Sequence, residues 1–258
     1  MPANHPVKPE HVSGAPLRRA VVHASYDLTF LPKHPGEGWT RFVCISDTHS
    51  HLFHVPPGDV LLHAGDLSRH GTLKDLEVTL NWMKGLPHPA KFFIAGNHDY
   101  DEGGALREIK PKYLRTKDIA AARNLVRSHS LRKAGMFYLE HEHAMYTAKS
   151  GKVYTIYGSP AAPFYSTGAF QYCTGQGKEI YSRIPASVDI LMTHTPAHGI
   201  CDLTKRGIHA GCPELAQRLL DEDLRGCRLH NEKNPGGRIS VNAALPSVPL
   251  PVIIDLMD

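Results

Sequence analysis

Three short polar strings, each placed directly after an apolar run, constrain the fold of this chain most. Residues 42–45, 60–62 and 92–95 are apolar, and they precede Asp47-Thr48-His49, Gly65-Asp66 and Gly96-Asn97-His98-Asp99 in that order. In an α/β sheet, the loops that leave the carboxyl ends of neighbouring parallel strands meet at one crevice. The strings therefore predict a crevice lined with carboxylate, amide and imidazole groups, which is the donor set of a metal-dependent hydrolase.

The segments between and after these strings predict the other elements. Leu73, Leu76, Leu80 and Met83 have helical spacing over residues 73–86, with Thr72 as the N-cap and Pro87 as the stop. This strand–helix–strand order favours parallel strands with right-handed crossovers. A helical patch is expected at 117–126 and an edge strand within 21–30. Further strands are predicted at 153–157, 188–192, 239–243 and 252–256, and the hairpin character of this half favours a second sheet packed on the first.

Composition fits one large domain with a loosely ordered start. The chain has 258 residues, of which 41% are apolar and 21% charged, as in an ordinary globular protein. Residues 1–38 contain few apolar side chains and several prolines, which predicts a loosely ordered extension before a domain at 39–258. The five cysteines form no CxxC pair, so a disulfide framework is not expected. Cys44 lies inside the first apolar run, where a small buried side chain is the simplest interpretation.

Several classes of location and partner are not expected. No apolar run reaches the roughly 18 residues that a membrane-spanning helix needs. The first residues are polar and contain no signal-peptide core, so we expect a cytoplasmic protein. The net charge of +4 is spread along the chain. That distribution is compatible with a small phosphoester or nucleotide substrate, and it does not indicate a nucleic-acid polymer as a partner.

The chemistry of the strings is that of a divalent metal pair, which needs a carboxylate able to bridge two ions. Asp66 suits the bridge because Gly65 lets the backbone come close. Asp47 and His49 are two residues apart and could reach one ion. Asn97 offers an amide oxygen to the second ion, and His194, at the end of the apolar run 188–193, is a further ligand candidate.

Two neighbouring residues are candidates for acid–base chemistry. His98 is placed to donate a proton to a leaving oxygen, and Asp99 is available to orient its ring. Arg69, Arg206 and His209 could contact phosphate, although solvated surface side chains are the simpler interpretation of all three.

The strings FVCISDTHSH, GDVLLHAGDLS, FFIAGNHDY, YGSPAAPFY, DILMTHTPAHGICD and GIHAGCPEL and the late VNAAL resemble the calcineurin-like metallophosphoesterase superfamily, and within it the brain-type metallophosphoesterase-domain proteins. The resemblance covers about residues 40 to 256. It implies an α/β fold, a four-layer αββα sandwich of two mixed sheets flanked by helices. It also implies hydrolysis of a phosphodiester or phosphomonoester, with cyclic-nucleotide-type substrates among the options, by a metal-bridging hydroxide.

The same resemblance implies a ligand set for two divalent ions. Asp47, His49 and Asp66 would hold the first ion, and Asp66, Asn97 and His194 the second, with His98 as the acid and transition-state stabiliser. Mn²⁺, Fe and Zn²⁺ all suit mixed carboxylate and imidazole ligands, and the spacing does not choose among them.

One family motif is missing. A strand followed by Gly-His-x-His is expected before the asparagine–alanine strand, but here Cys227-Arg228-Leu229-His230 runs into a polar, glycine-containing stretch and then into 241–245. His230 is out of register with either histidine and receives no ligand role. Each ion then keeps three protein donors with Asp66 shared, which predicts weaker metal binding.

The gap leaves two interpretations and an alternative function. Either a coding segment has been omitted from this form, or the chain is a divergent member with weak or no hydrolysis. In the second case it would be a nucleotide- or metal-binding pseudoenzyme. A structural metal protein is disfavoured because oxygen-rich donors at loop tips suit an open, water-bearing site.

Overall fold

The computed structural model describes residues 12–13, 19–100, 116–165, 168–173, 175–221, 238–245 and 250–258. Its strands are β1 (Val12–Ser13), β2 (Ala20–His23), β3 (Trp39–Ile45), β4 (Val60–His63), β5 (Ala90–Phe93), β6 (Met136–Tyr138), β7 (Glu142–Thr147), β8 (Val153–Ser159), β9 (Ala162–Pro163), β10 (Gln171–Tyr172), β11 (Ile190–Thr193), β12 (Ser240–Val241) and β13 (Val252–Met257). Its helices are α1 (Leu73–Gly85), α2 (Thr116–Val126), α3 (His129–Lys133), α4 (Gly177–Ser182) and α5 (Pro213–Leu220).

Two mixed sheets form the centre of the molecule. The main sheet has the order β2-β13-β3-β4-β5-β6, in which β3 to β6 are parallel and β13 is antiparallel to both of its neighbours. The second sheet has the order β11-β8-β7, with β8 parallel to β11 and antiparallel to β7. Two small pairs, β1 with β12 and β9 with β10, complete the described sheets. The prediction of a second sheet is confirmed.

Alternation along the strands explains how both faces of the main sheet are covered. In β3, Phe42 and Cys44 point to the second sheet, whereas Val43 and Ile45 point to the helices. Helices α1, α2 and α3 pack on the outer face of the main sheet through Leu76, Leu80, Met83, Ala122, Val126 and Leu131. Helices α4 and α5 pack on the outer face of the second sheet through Tyr181 and Leu215. The layers are therefore αββα, as the resemblance implies.

Helix α1 shows the predicted start and stop. The Thr72 hydroxyl accepts a hydrogen bond from the Asp75 backbone N–H at 3.1 Å, which satisfies one of the free donors of the first turn. Leu76, Leu80 and Met83 are buried against the sheet. The helix ends two residues before Pro87, which cannot continue it.

The predicted edge strand is β2, which pairs with β13 at one side of the main sheet and buries Ala20. Part of the segment predicted as a loose extension is thus ordered into the sheet, while residues 1–11 and 14–18 lie outside the described residues. Cys44 is buried as expected, and burial raises the pKa of its thiol to about 12. None of the helices within the described ranges is long and apolar enough to cross a membrane.

Candidate metal centre

The loops after β3 and β4 are tied to each other by backbone hydrogen bonds. The N–H of Asp47 donates to the Gly65 carbonyl at 2.9 Å, and the N–H of His49 donates to the Asp66 carbonyl at 3.0 Å. The Ser50 N–H continues the pairing to the Leu67 carbonyl at 2.9 Å. The first two predicted strings are therefore one hydrogen-bonded unit at the carboxyl edge of the main sheet.

Three of the predicted ligands have left-handed backbone. The φ angles are 56° at Asp47, 46° at His49 and 54° at Asp66. Non-glycine residues adopt this region rarely, and such conformations persist where the surrounding structure enforces them, often at functional sites. The sharp turns aim these side chains into the crevice.

The carboxylate of Asp66 lies at the centre of the site. Its Oδ2 is 3.6 Å from His49 Nε2, and its Oδ1 is 3.3 Å from His194 Nε2. The backbone N–H of His98 also donates to Oδ1 at 2.9 Å. Asp66 is 3% exposed, so an imidazole faces each of its two oxygens in a nearly dry position. This is the arrangement that a bridging carboxylate needs.

Both imidazoles beside Asp66 are held through their other nitrogen. His49 Nδ1 lies 3.3 Å from the Ser68 carbonyl, and His194 Nδ1 lies 3.0 Å from the Ala64 carbonyl. A carbonyl partner makes Nδ1 the protonated nitrogen and leaves Nε2 as the coordinating atom, which is how metal-binding histidines are usually oriented.

The charge state of His194 also fits a cation site. Its Nε2 lies 3.0 Å from Asn97 Oδ1 as well as close to Asp66. Burial lowers the pKa of His194, but the carboxylates of Asp66 and Asp47 outweigh it, so the pKa is raised overall. Without a metal, a proton on Nε2 satisfies both oxygen neighbours, and metal binding at an imidazole releases such a proton. Burial raises the pKa of Asp47, and the nearby Asp66 adds to that effect.

Two glycines allow this close packing. A Cβ atom at Gly65 would lie 2.6 Å from His194 Nδ1, and a Cβ atom at Gly96 would lie 2.6 Å from His194 Cε1. Gly65 also has a φ of 103°, which favours glycine. The glycines of the second and third strings thus make room for the His194 ring.

His98 and Asp99 do not contact each other in the expected way. The His98 Nδ1 lies 3.0 Å from the Arg69 carbonyl, so a backbone carbonyl orients the ring rather than Asp99. The ring is exposed and its centroid is 4.7 Å from that of His49. One donor atom from each of His49, Asp66 and His98 falls within 4.8 Å of the others.

Asp99 instead fastens the ligand loops. Its buried carboxylate accepts hydrogen bonds from the backbone N–H groups of Leu67 at 3.0 Å, Ser68 at 2.7 Å and Gly96 at 2.8 Å, and from the Ser68 hydroxyl at 2.8 Å. Burial raises the pKa of Asp99 and the charge of Asp66 adds to the rise, while these donors oppose it. Asp99 joins the second string to the third without reaching the His98 ring.

Strand β11, which leads to His194, borders a cavity within the described residues. Within the described ranges, β11 pairs with β8 along one edge. Beside its other edge lies a cavity of about 250 Å³, lined mostly by apolar side chains of both sheets and by residues 238–243. Ala64 and Thr193, which precede site residues, also line it. The 227–230 string lies outside the described residues.

Four other residues bear on the surroundings of the site. Arg69 and Arg206 are exposed, in keeping with solvated surface side chains. His209 Nδ1 lies 2.6 Å from the buried carboxylate of Asp202. Sequence reasoning missed Ala169, whose backbone N–H donates to the Asn97 carbonyl at 2.9 Å. Nothing in the spacing of residues 97 and 169 signals that contact.

Comparison with known proteins agrees with this geometry. Residues 40–226 match the model of the calcineurin-like phosphoesterase family. The chain belongs to that family. Human metallophosphoesterase domain-containing protein 1 is 34% identical over 71% of this chain and 56% of its own length. A UPF0046 protein of Caenorhabditis elegans is 33% identical over 69% of this chain and 63% of its own length.

Two further comparisons add less about function. A probable rhamnogalacturonate lyase C of Emericella nidulans is 33% identical over 76% of this chain, but the match spans 17% of that protein. A solved crystal structure aligns with a TM-score of 0.50 at 12% identity, covering 79% of this chain and 90% of the other, which supports the fold. The match to the human, Caenorhabditis elegans and Emericella nidulans proteins spans less than two thirds of the length of each. The family is named for phosphoesterases, and the donor set at Asp66 suits divalent metals.

Proposed function

We propose that this chain hydrolyses a small phosphodiester or phosphomonoester with two divalent cations bound around Asp66. A cyclic-nucleotide-type phosphodiester is among the proposed substrates. The observation that carries the proposal is the pair of imidazoles on Asp66: His49 and His194 approach its two oxygens through Nε2, and each is fixed through Nδ1 by a backbone carbonyl. A shared, buried carboxylate with pre-oriented imidazoles is suited to a dinuclear centre.

The residues divide between the two ions in the proposed centre. Asp47, His49 and Asp66 would hold one ion, and Asp66, Asn97 and His194 the other. Mn²⁺, Fe or Zn²⁺ in these positions would supply Lewis acidity and an activated water for attack on phosphorus.

His98 is the proposed proton donor to the leaving oxygen. Its Nδ1 is bound to the Arg69 carbonyl, so Nε2 is the free nitrogen of an exposed ring beside His49. An exposed nitrogen can exchange its proton with solvent after each turnover. Asp99 contributes by holding Gly96 and Ser68, and therefore the loop that carries His98, in place.

The test uses the chain stripped of metal with a chelator and reloaded with Mn²⁺. We expect hydrolysis of bis(p-nitrophenyl) phosphate by the reloaded protein and a loss of at least about 10³-fold in Asp66→Asn, because several kcal/mol of charge stabilisation disappear. Asp27→Asn, an exposed carboxylate in the loop after β2, is the matched control. Full activity and full metal occupancy in Asp66→Asn would refute the site.

A second candidate, a nucleotide-binding protein without turnover, is favoured by the absence of the Gly-His-x-His motif from the sequence. Each proposed ion has three protein donors, and losing a metal-site partner typically costs about 10–100-fold in affinity or activity. Calorimetry with adenosine monophosphate and saturating Mn²⁺ tests this candidate. Binding without hydrolysis of any phosphodiester would support it, and rapid turnover would exclude it.

A further inference from the structure

Two exposed histidines lie side by side on the segments that follow His194. The ring centroids of His198 and His209 are 5.2 Å apart, and the two ring planes are tilted by 43°. Both residues are exposed to solvent, so a dissolved ion can reach both rings. The pair is separate from the proposed ligands around Asp66 and is held by contacts of its own.

The ring of His209 is oriented by a buried carboxylate. Its Nδ1 lies 2.6 Å from Oδ1 of Asp202, whose side chain is 1% exposed. The other oxygen of that carboxylate accepts hydrogen bonds from the backbone N–H groups of Gly199 and Gly211, both at 3.0 Å. Because the acceptor beside Nδ1 is a carboxylate, the neutral ring carries its proton on Nδ1 and keeps the lone pair of Nε2 for a ligand.

Backbone contacts fix the segments that carry the two rings. The His198 N–H donates to the Cys212 carbonyl at 3.0 Å, and the Cys212 N–H donates to the Pro196 carbonyl at 2.8 Å. The segment with the second ring is closed by the Ala210 N–H, which donates to the Asp202 carbonyl at 3.1 Å. The pair is therefore presented from a hydrogen-bonded base.

The separation of the rings suits a shared metal ion. An imidazole nitrogen binds Zn²⁺ at about 2.0–2.1 Å, and two rings on one tetrahedral ion have centroids about 5 Å apart. Two neighbouring imidazolium rings would repel each other, whereas two neutral rings offer their lone pairs to one cation. A histidine that binds a metal commonly donates its other ring N–H to a carboxylate, as His209 does to Asp202.

We propose that His198 and His209 form a further site for a divalent transition metal of the class that imidazole ligands favour, Zn²⁺, Ni²⁺ or Cu²⁺. Water completes the coordination, since both rings are exposed. A bound ion would link the loop directly after His194 to the segment that leads into α5. The site shares no residue with the centre around Asp66, so this inference is independent of the proposed function.

Zinc binding to the full chain, freed of metal with a chelator, tests the proposal. The wild-type protein is titrated with Zn²⁺ by calorimetry and compared with His198→Ala and His209→Ala. Losing a metal-site partner typically costs about 10–100-fold in affinity, so we expect each substitution to weaken one zinc site by at least that factor. His129→Ala, which removes an exposed imidazole from α3, is the matched control and should bind zinc as the wild-type protein does.

Wild-type crystals soaked with Zn²⁺ provide a second measurement, which does not depend on how the variants fold. We expect an anomalous peak within about 2.0–2.1 Å of one nitrogen of each ring. A peak bound to one ring alone, or no peak at the pair, would overturn the proposal. Wild-type zinc affinity at every site in both histidine variants would overturn it as well.

Hydrolysis assays keep this proposal distinguishable from the proposed function. A wild-type chain that binds zinc between His198 and His209 but does not hydrolyse bis(p-nitrophenyl) phosphate with Mn²⁺ would refute the function and support the zinc site. A chain that hydrolyses the ester, loses this activity in Asp66→Asn and binds no zinc between the two rings would overturn the zinc site and support the function.

Discussion

The two sides of the candidate metal centre are built differently. The main-sheet loops, residues 46–50, 64–69 and 94–99, are bound to each other by backbone pairs and by four hydrogen bonds to Asp99. The β11 side, residues 190–212, brings in His194, is paired along one edge of β11 within the described residues, and borders a cavity of about 250 Å³. One side is braced locally, whereas the other depends on distant parts of the chain.

The comparison indicates which side of the site keeps its shape without the missing Gly-His-x-His motif. The main-sheet loops keep their shape through contacts among themselves, so the missing motif leaves Asp47, His49 and Asp66 in position. On the β11 side, His194 is held by the Ala64 carbonyl and by Asp66, which belong to the main-sheet loops. The first side therefore positions His194, the proposed ligand of the second.

The largest effect in this comparison is expected for a main-sheet residue whose substitution lowers the rate of hydrolysis and leaves the stability unchanged. His98→Gln removes the exposed nitrogen proposed as the proton donor, and we expect hydrolysis of bis(p-nitrophenyl) phosphate to fall by about 10²–10⁴-fold. The melting temperature should stay unchanged, because the His98 ring is exposed and its backbone N–H to Asp66 is kept. Steady-state kinetics and thermal unfolding check both. An unaffected rate would remove His98 from the mechanism.

The junction between the two sides is tested by Gly96→Ala. A Cβ atom at residue 96 would overlap Asp66 Oδ1 and would lie 2.5 Å from the Asp66 backbone nitrogen and 2.6 Å from His194 Cε1. The added methyl group would displace the Asp66 carboxylate and the His194 ring, so we expect manganese affinity to drop by about 10–100-fold, as when a metal-ligand partner is lost. Metal titration by calorimetry measures the change.

Gly85→Ala provides the matched comparison. A Cβ atom at Gly85 meets nothing within 4 Å, so this variant should bind metal normally and gain about 0.4–1 kcal/mol of stability. Equal metal affinity in the two variants would show that the sides are not coupled through Gly96.

The bracing of the main-sheet loops is tested by Asp99→Asn. The amide presents an N–H₂ group to backbone donors that now face a carboxylate, so at least one buried donor loses its acceptor. We expect a loss of about 1–3 kcal/mol in the free energy of unfolding, measured in urea. Glu179→Gln, on the exposed surface of α4, should change stability little. A wild-type unfolding curve for Asp99→Asn would contradict the proposed brace.

The smallest effect concerns the β11 side. Burial raises the pKa of Asp202, but His209 and the N–H groups of Gly199 and Gly211 outweigh it and hold that pKa below its usual value. A carboxyl group whose pKa is lower in the folded chain than in the unfolded chain stabilises the fold at pH values above the unfolded-state pKa. This stabilisation is lost as the pH falls through the folded-state pKa.

Asp202→Asn removes the charged acceptor from this loop. We expect its free energy of unfolding at pH 7 to be about 1–2 kcal/mol lower than that of the wild-type chain. The difference should shrink as the pH falls below the ordinary aspartate pKa of about 3.9. Urea unfolding at several pH values checks this prediction. A difference that does not depend on pH would show that the charge of Asp202 is not its source.

Much of the main-sheet side was predictable from the sequence because its signals are local. The apolar runs became β3, β4 and β5, Thr72 capped α1, and the strings after the strands met at one edge. The resemblance added the layer order. The contacts of single atoms were not predictable: Asp99 was expected near the His98 ring, but its carboxylate is used by the backbone of Gly96, Leu67 and Ser68.

The rest of the site depends on distances that sequence spacing does not encode. Ala169 reaches Asn97 from a loop 72 residues further along the chain, through a backbone hydrogen bond that no motif marks. Asp47 and Asp66 have left-handed backbone, which residue type alone does not predict because glycine adopts it far more readily than aspartate. Hydrogen bonds between the loops accompany this conformation at both residues. The cavity beside β11 required the placement of both sheets.

The central claim is that Asp66 is shared between two cations, and anomalous diffraction from crystals grown with Mn²⁺ tests it most directly. The account predicts two anomalous peaks about 3.5–4 Å apart, one on each side of the Asp66 carboxylate. One peak should lie beside His49 and the other beside His194. A single peak, or peaks that do not touch Asp66, would contradict it.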